Sequence, residues 1–185
     1  MALTKRFTPA VLALLAGAFV WAAGGQAQKG EMKQEGPAKA VCVLTPTKGS
    51  KVHGVVVFTR KGDAIEITGE ITGLTPGKHG FHVHEYGDLN SDDGMATGGH
   101  FDPDKKMHGA PHDKERHVGD LGNVEADKSG KVKLHVTDKV IQLHGPHSIV
   151  GRGLIVHAKA DDLKSQPTGD AGGRVAQGVI GVAKK

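Results

Sequence analysis

Eight short runs of alternating, β-branched-rich residues, each closed by turn residues, constrain most strongly what this chain can fold into. They fall at 40–44, 52–59, 64–71, 79–86, 119–126, 132–137, 153–158 and 175–182. Alternation sends successive side chains to opposite faces, so such runs read as half-buried strands. Lys61-Gly62-Asp63 and Lys128-Ser129-Gly130 stand between runs as hairpin turns. Eight strands of this length indicate an all-β, antiparallel sandwich or barrel rather than an alternating α/β fold.

The 185 residues suit one domain. Its expected span is 40–185, preceded by a polar, aperiodic, flexible segment at 28–39. Residues 1–27 read as an export signal: Lys5 and Arg6, an apolar run at 11–20, then the small residues around Gly25-Gln26-Ala27, with cleavage expected after Ala27. The apolar run is short of the roughly 20 residues a membrane span needs, so no membrane attachment is expected after cleavage, and an uncleaved anchor is the alternative. The mature protein is then periplasmic or extracellular. Losing Lys5 and Arg6 lowers the formal charge from +4 to +2. Lys105-Lys106 and Lys184-Lys185 are isolated basic pairs, so no nucleic-acid surface is expected. One cysteine, Cys42, lies in an alternating run and reads as a buried, inert thiol; it cannot form an intramolecular disulfide, unusual freedom for an exported protein.

Two segments, 87–117 and 159–174, are rich in Gly, Asp and Pro and have no hydrophobic period. Loops longer than about 15 residues in a compact domain are functional or disordered, and the histidines choose function. In Gly80-Phe81-His82-Val83-His84-Glu85 two imidazoles share one strand face, from Cα atoms about 6.5–7 Å apart, while Val83 turns inward. His100, His108 and His117 follow in the loop, Asp120 comes three residues after His117, and His157 ends a distant strand-like run. Neutral imidazoles with one carboxylate form a workable metal set, and a metal can order a Gly-rich loop that lacks a core. These are seven candidate ligands; two closed four-coordinate sites need eight, so one ligand would be shared, and counting leaves open which one.

The segments GFHVHEYGD, GGHFDP, MHGAPHD, ERHVGDLGNV, GPHSIVGRG, VHAKADDL and GDAGGRVAQGVIGVA together closely resemble the copper,zinc superoxide dismutase family, in order and from about Ala40 onward. The resemblance implies an eight-stranded Greek-key β-barrel with two long functional loops. It implies copper, one per chain, on His82, His84, His100 and His157, and zinc, one per chain, on His100, His108, His117 and Asp120, with His100 as the bridge. Asp161 is implied to link a copper histidine to a zinc histidine, and Arg174 to position superoxide. The implied reaction converts two superoxide anions and two protons to oxygen and hydrogen peroxide by copper redox cycling, with zinc structural. A homodimer is implied, through Tyr86-Gly87-Asp88, Ile149-Val150-Gly151 and residues 178–183.

Two departures stand out. The family's disulfide between the metal loop and the last strand has lost both positions, which fall near Gly94 or Met95 and at Gln177; metal binding and dimer contacts are expected to hold the loop instead. The segment between Asp161 and Arg174 is short and omits charged positions, with Lys164 expected to substitute in part. His53, His79, His112, His135, His144 and His147 read as surface or hydrogen-bonding residues, and Arg116 and Arg152 as structural arginines. A non-catalytic metal-binding domain of the same fold is the competing class, disfavoured because every copper ligand position is kept; an adhesion module with incidental histidines does not fit the order of the motifs.

Overall fold

The computed structural model describes residues 36–184; the expected export signal, 1–27, and most of the expected lead-in, 28–35, lie outside the described residues. Eight strands run in chain order: β1 Lys39–Pro46, β2 His53–Lys61, β3 Ala64–Thr72, β4 Gly77–His84, β5 Asp120–Ala126, β6 Val132–Asp138, β7 Gly153–His157 and β8 Arg174–Val182. Their ladder order, β5-β4-β7-β8-β1-β2-β3-β6, is antiparallel throughout. Steps β3 to β4 and β6 to β7 pass between strands that are not neighbours, which is a Greek-key path. All eight expected strands are present.

The alternation in the sequence is spent on one barrel core. Ala40, Cys42 and Leu44 of β1, Val56 and Phe58 of β2, and Ile65, Ile67 and Ile71 of β3 are buried together. Each fully buried Ile, Leu or Phe contributes on the order of 1.5–3 kcal/mol. Gly62, at φ 65°, supplies the left-handed residue of the β2–β3 hairpin.

The second expected hairpin differs. Asp127 Oδ1 organises that turn by accepting from Ser129 N (2.8 Å), Ser129 Oγ (2.6 Å) and Lys131 N (3.0 Å), but β5 and β6 do not pair in the described ladders. Each is already paired on its other side, β5 with β4 and β6 with β3. They are the two edges of a nearly closed barrel, and the turn bridges the seam.

Strand β4 is buried on both faces. Phe81 and Val83 enter the barrel core, whereas His82 and His84 face outward and are 0% and 1% exposed. Among the described residues, the long connections 85–119 and 158–173 cover that outer face. β4 lies between β5 and β7, so three adjacent strands carry Asp120, His82 with His84, and His157.

Candidate metal centre

Register places the strand-borne residues. His82 pairs with Asp120 across β4–β5, and His157 pairs with Arg174 across β7–β8. The loop 85–119 returns to the same surface through an isolated bridge between His84 and His100, reinforced by Phe101 N to Val83 O (2.9 Å) and Val83 N to Gly119 O (2.9 Å). The residues singled out in the sequence therefore meet. His82, His84, His100 and His157 form one buried group; His100, His108, His117 and Asp120 form a second, and within each the ligand atoms lie within 4.8 Å of one another. His100 belongs to both.

Hydrogen bonds settle which ring nitrogen of each residue is free. His84 Nδ1 donates to Gly98 O (3.0 Å) and His157 Nδ1 to Gly172 O (3.0 Å), because a carbonyl can only accept. Their Nε2 atoms are then lone-pair nitrogens, and they face each other at 3.4 Å. His82 Nε2 donates to Asp161 Oδ2 (2.7 Å), leaving Nδ1 buried without a partner. His100 Nδ1 lies 2.8 Å from Asp120 Oδ1, and its Nε2 is buried without a partner. Converging lone pairs with no donor among them are costly unless a cation sits between them. The first group thus fits a metal that accepts imidazole ligands.

The second group is built around a carboxylate. Asp120 Oδ1 is also 3.2 Å from His117 Nδ1, while its Oδ2 accepts from His117 N (2.8 Å) and Gly109 N (3.1 Å). His108 Nδ1 is 3.0 Å from Asp120 Oδ1 yet off the line of a hydrogen bond, so it too is an orphaned buried nitrogen. Three imidazoles and one carboxylate make a donor set that suits zinc.

Asp161 joins the groups. Its Oδ2 accepts from His82 and its Oδ1 from His108 Nε2 (3.0 Å), so one carboxylate orients a ring in each, as outer carboxylates commonly do for metal-ligating histidines. Asn123 fixes Asp161 in turn, through Asp161 N to Asn123 Oδ1 (2.8 Å) and Asn123 Nδ2 to Asp161 O (2.9 Å). Gly169, at φ 69°, lies so close that a Cβ there would collide with Asp161 Oδ1 and His108 Nε2, so no larger residue fits.

These surroundings split the protonation behaviour. Burial pushes the pKa of His100 down to about 4 and of His157 to about 3, and holds His84 well below the usual imidazole range, with His100 and Arg174 adding to the effect at His84. His82 is lowered by burial against the opposing pull of Asp161. At His108 burial also lowers the pKa, but Asp120 and Asp161 outweigh it and lift the value to about 9. Burial presses the two carboxyl pKa values upward, yet their histidine bonds win and hold both well below the usual range.

Arg174 lines a cleft together with His84 and His157. Its Nη1 donates to Gly94 O (2.5 Å) and Thr97 Oγ1 (2.8 Å), and its Nη2 to Gly98 O (2.6 Å). The guanidinium thereby fastens β8 to the 3-10 turn Met95–Thr97. Gln177 Nε2 adds a bond to Ser91 O (3.2 Å) at the place of the missing disulfide, beside Gly94, where a Cβ would stand 3.4 Å from Gln177 Oε1.

The other residues behave as read. Arg116 is buried, bonded to Asp138 Oδ2 (2.5 Å) and to the carbonyls of His117, Val118 and Asp120. Arg152 bonds Ser148 O and Glu85 O and covers the Phe101 ring at 3.4 Å. His79 is buried between His157 O and Thr75 O, both at 2.9 Å. Burial lifts the Cys42 thiol to about 12, leaving it unreactive. The sequence reading missed the carbonyls of Gly98 and Gly172, the Asn123 clamp, and Gln166, whose amide bonds both His108 N (2.8 Å) and His108 O (2.9 Å). It also missed Lys48, which shares the cleft wall with Arg174, where Lys164 is absent.

Over residues 52–180 the sequence matches the family described as copper/zinc superoxide dismutase (SODC). A solved structure, of the clock protein EA4, is 45% identical, with a TM-score of 0.75 over 80% of this chain and 97% of that one.

Proposed function

Because this chain belongs to the copper/zinc superoxide dismutase family, we propose that it dismutes superoxide to oxygen and hydrogen peroxide, with copper held by His82, His84, His100 and His157 and zinc by His100, His108, His117 and Asp120. The observation that carries the reading is His100: one nitrogen faces Asp120 in the second group, and the other is buried and unpartnered in the first. When bound, copper supplies the one-electron couple and zinc a fixed positive charge.

The chain's own residues do the rest. Gly98 O, Gly172 O and Asp161 hold three rings with their lone pairs aimed at one point. Arg174, immobilised by three bonds, presents a cation to an anion entering the cleft. His100 Nε2, buried and without a partner, would hold a proton for the second superoxide when it is not ligating copper. Two superoxide anions and two protons thus give one oxygen and one hydrogen peroxide.

We also propose a homodimer. Val43 pairs with Val55 across β1–β2, and both are exposed, as are Val179 and Tyr86. A Cβ on Gly87 would approach Val179 and collide with Gly151 O, so the three expected contact segments adjoin. Export with cleavage after Ala27 completes the reading and is checked by N-terminal sequencing of the mature protein.

The deciding experiment measures metal content and superoxide turnover in wild type, His84→Ala and Arg174→Ala. An enzyme loses turnover in both variants while Arg174→Ala keeps its metals. Bound metal without superoxide turnover in wild type points instead to a metal carrier.

A further inference from the structure

The cleft that opens onto His84, His157 and Arg174 has a volume of about 420 Å³, and the β1–β2 turn forms one wall of it through Thr47 and Lys48. That turn is built into the site. Lys48 N donates to Asp92 O (2.7 Å), tying it to the loop 85–119, and Thr47 Oγ donates to Arg174 O (2.6 Å). Ser50 N closes the turn on Thr47 O (3.0 Å), with Gly49 at φ 80°.

The two cations on this wall are held differently. Arg174 is half-buried and three of its five N–H donors are engaged by the loop. Lys48 is anchored at its backbone: its side chain is 81% exposed, and the acid it pairs with, Asp92, is 3.9 Å away and 83% exposed. Contacts of that kind are screened and weak, so the ammonium remains available to an approaching anion. The wall also carries Asp93, which opposes anions. The shortened segment 159–173 contributes Thr168, Gly172 and Gly173 to the wall, and no charge.

We propose that Lys48 is the guiding cation for the anionic substrate, drawing it to the mouth of the cleft before Arg174 receives it. The proposal rests on the superoxide dismutase reading of the site. Lys48 acts through the field at the mouth and is a positioning residue. One unit charge acting through water within about a Debye length changes an encounter rate about twofold, and more at low salt.

The test uses the full, metal-loaded protein as wild type, Lys48→Arg, Lys48→Gln, Lys48→Glu and Lys164→Gln. It measures kcat/KM for superoxide from about 10 mM to about 0.3 M ionic strength. At low salt we expect Lys48→Arg to keep the rate, Lys48→Gln to lose about twofold and Lys48→Glu about fourfold, converging at high salt; Lys164→Gln should follow wild type. A loss that ignores the sign of the charge, or no loss, overturns the proposal. A second arm titrates the metal-free protein with nitrate and follows the Thr168 and Gly172 amide resonances. Affinity should fall in the same charge order, and equal affinities overturn the proposal. If wild type fails to dismute superoxide while nitrate binding keeps the charge order, the proposed function falls and Lys48 stands as an anion guide.

Discussion

The two halves of the metal centre share a histidine but are supported by opposite means. Around His84 and His157 the outer partners are neutral main-chain carbonyls, Gly98 O and Gly172 O. Around His108 and His117 the contacts are to carboxylates: Asp161 lies behind His108, and Asp120, itself a member of the group, contacts three rings and accepts from two backbone amides. A carbonyl fixes which nitrogen carries the proton and leaves the ring neutral. A carboxylate does the same and adds charge, so without metal it draws a proton onto His108. The first half is therefore a set of converging lone pairs, and the second a network of ion pairs and hydrogen bonds centred on one carboxylate.

The largest test of this contrast removes one support from each half. Asp120→Ala leaves several buried donors unanswered and a positive His108 paired with Asp161 alone; breaking such a buried set costs about 3–5 kcal/mol. His84→Ala strips one donor from Gly98 O and should cost about 1–3 kcal/mol. Urea unfolding of the metal-free proteins measures both. Equal losses would break the contrast, because the carbonyl-held half would then carry as much of the fold as the carboxylate-held half.

A smaller effect is expected in pH dependence, where the two halves pull in opposite directions. His100 and His157 titrate near 4 and 3 in the fold but near 6.5 when unfolded. The unfolded chain thus takes up their protons first, and their stabilisation, whole above about 6.5, is lost as pH falls toward 4 and 3. His108 is the reverse: with a folded value of about 9 against 6.5, its stabilisation is whole below 6.5 and fades as pH rises through 9. Metal-free stability should peak near neutrality and decline on both sides. His108→Gln should flatten only the alkaline decline and His157→Gln only part of the acid one, as followed by thermal melts across pH. A metal arriving at the second group near neutral pH should also release the His108 proton.

The sequence carries the ligands of both halves more openly than their supports. His82 and His84 are legible because a strand repeats every two residues, and Phe81 and Val83 announce the opposite face. His157 and Asp120 are legible because strand ends near a His-x-His strand are where further ligands can come from. The supports are not, because Gly98 O and Gly172 O are main-chain atoms that any residue possesses. Lys48 was equally hidden: it lies 126 positions before Arg174 in the chain, and only the ladder β8-β1 brings the β1–β2 turn to the cleft. The seam between β5 and β6 has the same cause. A turn motif reports that the chain reverses, while pairing depends on whether each strand already has other partners.

The smallest effect concerns how the carbonyl-held half keeps its loop in place without a disulfide. The chain's single cysteine, Cys42, is buried in β1, so no thiol chemistry can lock or release the segment around Gly94. The expectation was that metals and dimer contacts would take over. That segment is also held by three Arg174 bonds, the Gln177 bond to Ser91 O and the backbone bond from Lys48 N to Asp92 O. Gln177→Ala removes one neutral bond among several and should cost only about 1 kcal/mol, read as faster amide exchange at residues 91–97 with little change elsewhere. Reductant should leave that exchange untouched. If metal loading slows exchange at 91–97 far more than Gln177→Ala speeds it, the metal is the dominant fastening; if the two effects are comparable, polar bonds at the old disulfide position share the work, and the carbonyl-held half is as self-supporting as the carboxylate-held one.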